Sequence, residues 1–490
     1  MLEVYIIIIL GVVSVLWLLC KPRHKLPPMF PGVLPLLGHI CQVPTDPIEF
    51  WKWEKKVYEF ALNFDGVILL KFLMHHCYVI TDPDDALLVA NTCLDKPYIY
   101  SFAKEMYKKG LITADELSWK PHRKLLNPAF NQQVMNSFLD VFNDKARALV
   151  TELVAEVGKD TFDIDFYLRN SLLKTACQTT LGLDTNEDNT LVTNYILATK
   201  DLVENYRDRI LKFYLCLQFT FNFSSLKKPH DMLVKTLKGI STEVIRRKLE
   251  SKQVTKKGLC DDTLPDKFQP LLDRMLYLAE IQDAFTLDDI QDHVNTTIAA
   301  ATDSTAQSII FTLILIGSRE DVQSKIVLEL NEVFQGEDRN VTKSDLQNLV
   351  YLEAVMKESM RLYPAAPRFL RYIDTDVKLK QYTLLTGSTC VLSVYGINRH
   401  PMWGADADQF RPERWLDPAS LPDNPNAFAT FSLGKRNCIG KLYAMMVTKT
   451  SLVYILRHYH ITSTSHDLQT RCDIVQSPVE GHKITIQHRS

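Results

Sequence analysis

Residues Phe431-Ser432-Leu433-Gly434-Lys435-Arg436-Asn437-Cys438-Ile439-Gly440 fit the pattern F-x-x-G-x-R-x-C-x-G at all five fixed positions. With residues taken as equally frequent, a chain of this length meets that pattern by chance on the order of once in several thousand. The two glycines permit turns and close backbone approaches that a Cβ would block. The stretch that follows, Lys441 to Leu456, carries apolar residues at helical spacing. Cys438 therefore sits just ahead of a helix N-terminus, where free N–H groups and the positive end of the dipole favour an anion. A thiolate there can serve as a metal ligand, with its pKa expected to be lowered. Any fold for this chain must bring the loop and its helix to a site that accommodates what the sulfur binds.

The chemistry fits a haem-thiolate site. Gly434 and Gly440 would let the backbone approach a flat porphyrin, Arg436 would pair with a propionate, and Phe431 would shield the sulfur from water. The segment resembles the haem-binding loop of the cytochrome P450 family, the haem-thiolate monooxygenases, and further motifs follow in that family's order along nearly the whole chain. Glu358-Ser359-Met360-Arg361 resembles the E-x-x-R helix. Glu204 to Arg207 and Glu243 to Arg246 match the same pattern, so position decides. Glu358 precedes Cys438 by 80 residues, and Phe410-Arg411-Pro412-Glu413-Arg414-Trp415 lies between them. That segment is similar to P-E-R-F, with Trp415 in place of Phe. The resemblance implies a buried triad of Glu358, Arg361 and Arg414 that clamps the haem loop. Trp119-Lys120-Pro121-His122-Arg123 resembles W-x-x-x-R. Residues four apart share a helix face, and the resemblance places Trp119 and Arg123 on the propionates. Arg371, after Pro364 and Pro367, is a further propionate candidate.

Leu287 to Ile316 reads as one helix of about 45 Å at ~1.5 Å per residue, opened by the capping signal Thr286-x-x-Asp289. Within it, Ala300-Ala301-Thr302-Asp303-Ser304-Thr305 resembles [AG]-G-x-[DE]-T-[TS]. The acid is Asp303. Ala301 replaces the usual glycine and Ser304 the usual threonine. The resemblance assigns Asp303 and Ser304 to proton delivery beside bound dioxygen. Ser304 keeps the hydroxyl but lacks the methyl that restricts χ1, and it can turn back to the Ala300 carbonyl. The other reading is that both residues only interrupt the helix. Lys96-Pro97-Tyr98 with Tyr100, Gly110-Leu111-Ile112, and Trp119 to Phe130 resemble the animal branch that includes fatty-acid ω-hydroxylases, insect members among them. Many mammalian ω-hydroxylases of that branch carry a haem-linked Glu where this chain has Ala300. No such link can form here, which leaves the substrate open.

Val4 to Cys20 is an apolar run broken only by Gly11 and Ser14. As a helix it spans about 25 Å at ~1.5 Å per residue, close to the short limit for a bilayer. Lys21, Arg23 and Lys25 follow it, a basic flank that should stay cytosolic and leave Met1 lumenal. A cleaved signal peptide fits less well, given Glu3 and no A-x-A site. The expected organisation is an anchor at 1–20 in the endoplasmic reticulum membrane, a stiff proline-rich strut at 21–38, and a cytosolic catalytic domain at 39–490. A hydrophobic fraction of 46% with 23% charged residues excludes a disordered chain, and a net charge of −2 offers no field for nucleic acid. Ten cysteines without a C-x-x-C pair fit reduced thiols.

Val67 to Ile80 and Tyr382 to Tyr395 read as strands, the second with a turn near Gly387, and a short strand is expected near Lys483 to Ile486. Most of Asp84 to Phe334 reads as helix, with a polar surface loop at Ser251 to Asp266. The expected fold is mainly α with a small β-sheet region: the cytochrome P450 fold, with haem b between the long oxygen-activation helix and the cysteine-loop helix. The resemblance implies insertion of one atom of dioxygen into a lipophilic substrate, a fatty acid, hormone-like lipid or xenobiotic. Electrons would come from a membrane-bound NADPH–cytochrome reductase. Lys435, Lys441, Lys120 and Lys124 would offer it a basic face, or are merely scattered solvated lysines. Two rival functions stay open: a haem protein that binds a lipophile without turnover, kept alive by Ala301 and Ser304, and a dioxygen-independent isomerase or dehydratase.

Overall fold

The computed structural model describes residues 25–183, 189–258, 270–463 and 468–489. The expected anchor and the first residues of the strut, up to 24, lie outside the described residues. Helices dominate. The central one, Leu287–Gly317, opens on the expected capping box: Thr286 Oγ1 accepts from Asp289 N at 3.1 Å, and Asp289 returns the bond to Thr286 N. It is long and apolar enough to cross a membrane, yet its C-terminal half lies inside the fold. There Ile309, Ile310 and Leu313 meet Leu149 of helix Leu139–Leu153, Val355 of helix Val350–Leu362 and Val453 of helix Lys441–His458 in one buried cluster. A large-to-small change in such a core costs about 2–5 kcal/mol. The central helix and the cysteine-loop helix Lys441–His458 are thus fixed against each other.

Four strands form the main sheet: β1 Val67–Phe72, β2 His75–Ile80, β3 Arg368–Ile373 and β4 Ser388–Ser393, in the order β1-β2-β4-β3. β2 and β4 run parallel and the other pairs antiparallel. β4 follows a turn at Gly387, as expected, and the terminal strand is Lys483–His488. Residues 28–39 lie along β1, with Phe30 N donating to Leu69 O at 3.0 Å and Leu69 N to Pro28 O at 2.9 Å. The loop expected from Ser251 to Asp266 is corrected in part: helix Lys227–Gly258 continues through 251–258, and the rest lies outside the described residues. A polar composition does not end a helix that lacks a Pro or an early Gly.

One residue ties the sheet to the helix of the W-x-x-x-R element, Glu116–Leu126. The Asp95 carbonyl accepts from Tyr372 N on β3 at 3.0 Å, and its carboxylate accepts from Glu116 N at 2.8 Å. The next residue, Lys96, is carried to the same junction.

Candidate active site

The cysteine loop is a closed turn. Cys438 N donates to Phe431 O at 2.8 Å and Asn437 N to Gly434 O at 3.1 Å. Gly434 has φ +67°, and a Cβ there would lie 2.8 Å from Asn91 Oδ1 and 2.9 Å from the Ala90 carbonyl carbon. The sequence reading gave this glycine to the porphyrin. The structure adds a second demand: Gly434 is also required by the close approach of helix Pro83–Thr92, which the loop touches. Gly440 differs. A Cβ there would find only the Cys438 sulfur, at 4.0 Å, so a side chain would crowd whatever bonds that sulfur. Gly440 also caps the helix without a side-chain acceptor, leaving its first N–H groups available to the thiolate. The Cys438 sulfur is accessible but closely surrounded by protein, and that desolvation pushes its pKa up. The Gly440 N–H, Arg123 and Lys441 oppose the rise without reversing it. The lowered pKa expected from the helix dipole is therefore not met by the protein alone. A bound metal would supply it, since a coordinating thiol is deprotonated outright. Phe431 is half-buried, with the Lys441 ammonium 5.6 Å from its ring centre.

On the sheet side, three cations converge. Arg371 on β3 is 1% exposed and Arg436 8% exposed. Arg436 Nη1 donates to Ala114 O at 2.9 Å, and its guanidinium lies 4.5 Å over the buried Trp119 ring. Lys96 sits 4.5 Å over Tyr100. Among the described residues, no carboxylate pairs with any of the three. Desolvation depresses all three, and neighbouring cations add to it for two: Lys96 falls well below the ordinary lysine value, and Arg436 falls to about 10. Arg371 Nε, Arg436 Nε and Arg436 Nη2 are buried with no hydrogen-bond partner. Unpaired buried charge is costly, and three like charges together need an anion. The two propionates of a haem would fit that need, with Arg371, Arg436 and Trp119 present to meet them. Lys96 is a candidate that the sequence does not single out. It drew notice only as part of a branch motif, and a single lysine between Asp95 and Pro97 carries no periodic signal.

The loop's support is the triad the sequence named. Glu358, Arg361 and Arg414 are all fully buried. Glu358 accepts from Arg361 Nε and Nη2 at 2.9 Å and from Arg414 Nε at 2.8 Å. It also accepts from Arg411 N and, at 3.0 Å, from Trp415 Nε1. The Trp that departs from P-E-R-F thus donates a bond that Phe could not. Asn398 carries the clamp onward. It donates to Arg361 O and Thr430 Oγ1 and accepts from Ala429 N, immediately before Phe431. The rival pair Glu243–Arg246 is an exposed helix-surface contact.

On the central helix the expected pair is engaged elsewhere. Asp303 bonds Arg169 of helix Asp165–Ala176, which also grips Asp165 at 2.8 Å. Burial raises the Asp303 pKa despite Arg169. Ser304 Oγ donates to Ala300 O at 2.8 Å, the back-bond its missing methyl permits. Arg123 does not join the three cations. Its guanidinium donates to Asn437 O at 2.7 Å and Asn437 Oδ1 at 3.0 Å, beside Cys438.

The family profile described as Cytochrome P450 matches residues 27–482. Cytochrome P450 4c21 of Blattella germanica is 28% identical over 482 residues, 96% of this chain and 95% of that protein. Cytochrome P450 4V2 of Homo sapiens is 28% identical over 467 residues, 93% of this chain and 88% of that protein. Cytochrome P450 4g1 of Drosophila melanogaster is 28% identical over 461 residues, 86% and 81% respectively.

Proposed function

The chain belongs to the cytochrome P450 family, a haem b monooxygenase of the branch to which those relatives belong, and from that premise we propose the roles of its residues, its substrate class and its electron source. Cys438 ligates the iron, and Lys96, Arg371, Arg436 and Trp119 hold the propionates. The observation that carries this is the unneutralised cation cluster joined through Arg436 to the loop that presents Cys438. Bound there, haem supplies dioxygen activation, and a thiolate ligand favours O–O cleavage. Phe431 keeps water from the sulfur, and Gly440 directs its N–H to it.

The substrate is a lipophile. Phe102, Met106, Tyr195, Leu202, Val294 and Ile298 form one apolar cluster that draws the 98–107 segment and helix Asn189–Leu211 to the central helix. The protein works at a membrane. Phe213, Tyr214, Leu217, Phe219 and Phe223 are between 47% and 80% exposed within eleven residues, an apolar patch suited to lipid. The apolar run before Lys21 is the anchor. A chain starting at Lys25 is expected to retain haem but to be released from membranes by an alkaline wash. Retention after the wash would contradict the anchor.

Electrons come from NADPH through a flavoprotein reductase docking near Lys435 and Lys441. The test is the full chain with reductase, NADPH and candidate lipophiles, read by mass spectrometry. NADPH-dependent gain of one oxygen atom is expected. Binding without NADPH use would establish a sequestering protein, and the Ser304–Ala300 bond is the observation that favours that reading. Product formed without NADPH or dioxygen would establish an isomerase or dehydratase. In the same assay Ser304→Ala is expected to lower product per NADPH and raise peroxide release. General acid–base contributions are about 10²–10⁴-fold, and a replacing water shrinks the loss. Ser304→Thr should raise coupling, more so with Ala301→Gly. Unchanged coupling in both Ser304 variants would make Ser304 a spectator.

A further inference from the structure

Two imidazoles meet inside the protein with one hydrogen between them. His293 on the central helix is 1% exposed and His122 on helix Glu116–Leu126 is 8% exposed. His293 Nε2 lies 2.9 Å from His122 Nδ1, and the Phe285 ring packs against both at 4.8 and 5.6 Å between centres. In the neutral pair one ring donates and the other accepts. One added proton keeps that bond, since an imidazolium can donate to an imidazole. A second proton removes the last acceptor and sets two like charges together where water is scarce. The acids nearby are engaged. Asp289 pairs with Lys109 Nζ at 2.9 Å and accepts from Thr286, and Asp292 accepts from Lys109 N at 3.1 Å with Lys238 and Lys108 in electrostatic range. From helix Leu271–Gln282, Arg274 donates to Leu125 O, at the far end of the His122 helix. Burial pushes both imidazoles below the ordinary histidine value, His293 to about 3. His122 adds to the fall of His293, Lys109 to that of His122, and Asp289 opposes both.

The pair holds something that matters. One turn before His122, Trp119 lies under the Arg436 guanidinium, and the Ala114 carbonyl just ahead of the helix accepts from the same arginine. We propose that His122 and His293 form an acid-sensitive joint. Neutral, it fastens the Trp119 helix to the central helix. Protonation of both rings opens it, draws Trp119 and Ala114 away from Arg436, and loosens the haem. The last step rests on the assignment of Arg436 and Trp119 to the propionates.

Both rings hold their protons more weakly in the fold than in the open state. The joint is therefore fully closed above about pH 6.5, the ordinary histidine value, and weakens as pH falls from there toward the folded values. Each proton taken up on opening favours opening by about tenfold per pH unit. The test uses the haem-loaded full chain from about pH 7.5 down to about pH 5, above the range of ordinary carboxylates. Two quantities are read: hydrogen-exchange protection of amides 108–126, corrected for the intrinsic pH dependence of exchange, and the rate of haem transfer to apomyoglobin. In the wild type, protection should fall by about ten- to a hundredfold per pH unit below the histidine value, one proton or two, and haem transfer should speed up with it. His293→Gln gives His122 a hydrogen-bonding neighbour that does not titrate, and should flatten both slopes by about tenfold per unit. His122→Asn should do the same, and decides the matter if His293→Gln fails to load haem. His230→Gln removes another fully buried histidine, bonded to Glu105 instead, and should leave both slopes unchanged. Equal slopes in the wild type, His293→Gln and His122→Asn, or slopes that vanish with His230→Gln, would overturn the joint. Protection lost in acid while haem stays bound would leave the joint standing and overturn the propionate assignment on which haem release rests.

Discussion

Cys438→Ala is expected to abolish the long-wavelength Soret band of the reduced carbon monoxide form and, with it, all NADPH-dependent product. Among the described residues no second cysteine lies in that loop, so the expected loss is complete. Of the other described cysteines, Cys77, Cys93, Cys177, Cys390 and Cys472 are buried thiols, and Cys472 is occupied by Arg368 Nη1 at 3.3 Å. Burial pushes the Cys77, Cys177 and Cys472 thiols up to about 12 and closes them off from any cofactor. Cys41 is exposed but sits in the short turn Ile40–Gln42, just after the segment that runs beside β1. Cys41→Ala is the matching control and should keep both band and turnover. Equal behaviour of the two variants would remove Cys438 from the site.

Glu358→Ala should leave little haem-loaded protein. Removing one partner of a buried charge pair costs roughly 3–5 kcal/mol, and here two fully buried arginines lose their shared acid. That is a large fraction of a typical folding free energy of 5–15 kcal/mol, and the damage falls on the Asn398–Thr430 link to the cysteine loop. Trp415→Phe grades the effect. It removes one hydrogen bond to a carboxylate, worth about 1.5–3 kcal/mol, and should lower haem content and melting temperature while leaving the band position alone. Glu243→Ala breaks only a surface pair and should be tolerated. Haem content, melting temperature and the band are read on each variant. Full haem loading in Glu358→Ala would refute the clamp.

The parts of this fold set by local pattern were legible in the sequence. The capping box at Thr286, the two strands of Val67 to Ile80 and the helix after Cys438 follow from residue types at fixed spacing. So does the triad, because order along the chain separates Glu358 from its two pattern-mates. What could not be read is where a polar side chain goes when several partners compete. For Arg123 helix spacing gives the face it shares with Trp119, but not its bonds to Asn437. For Gly434 the sequence gives the need for close approach, but not the contact with Ala90 of a helix more than three hundred residues earlier. Asp303 was legible as an acid in the central helix, while its partner Arg169 belongs to a helix with no motif of its own. Lys96 became a site residue only through Asp95, whose two bonds join β3 to the Trp119 helix.

The junction of Lys96, Arg371 and Arg436 bears on how the protein is made. The three come from widely separated stretches of chain, so their approach belongs to the late stage of folding, when non-local contacts close. Closing them without an anion concentrates positive charge where water is scarce, so a newly made chain gains from staying partly open at that junction. Ligand that binds only the folded form adds to its stability by mass action. With haem held there as proposed, its arrival and the final closure would be one event. The steady-state amount of this protein in a cell should follow haem supply as closely as it follows synthesis, with the unloaded chain left to chaperones and proteases.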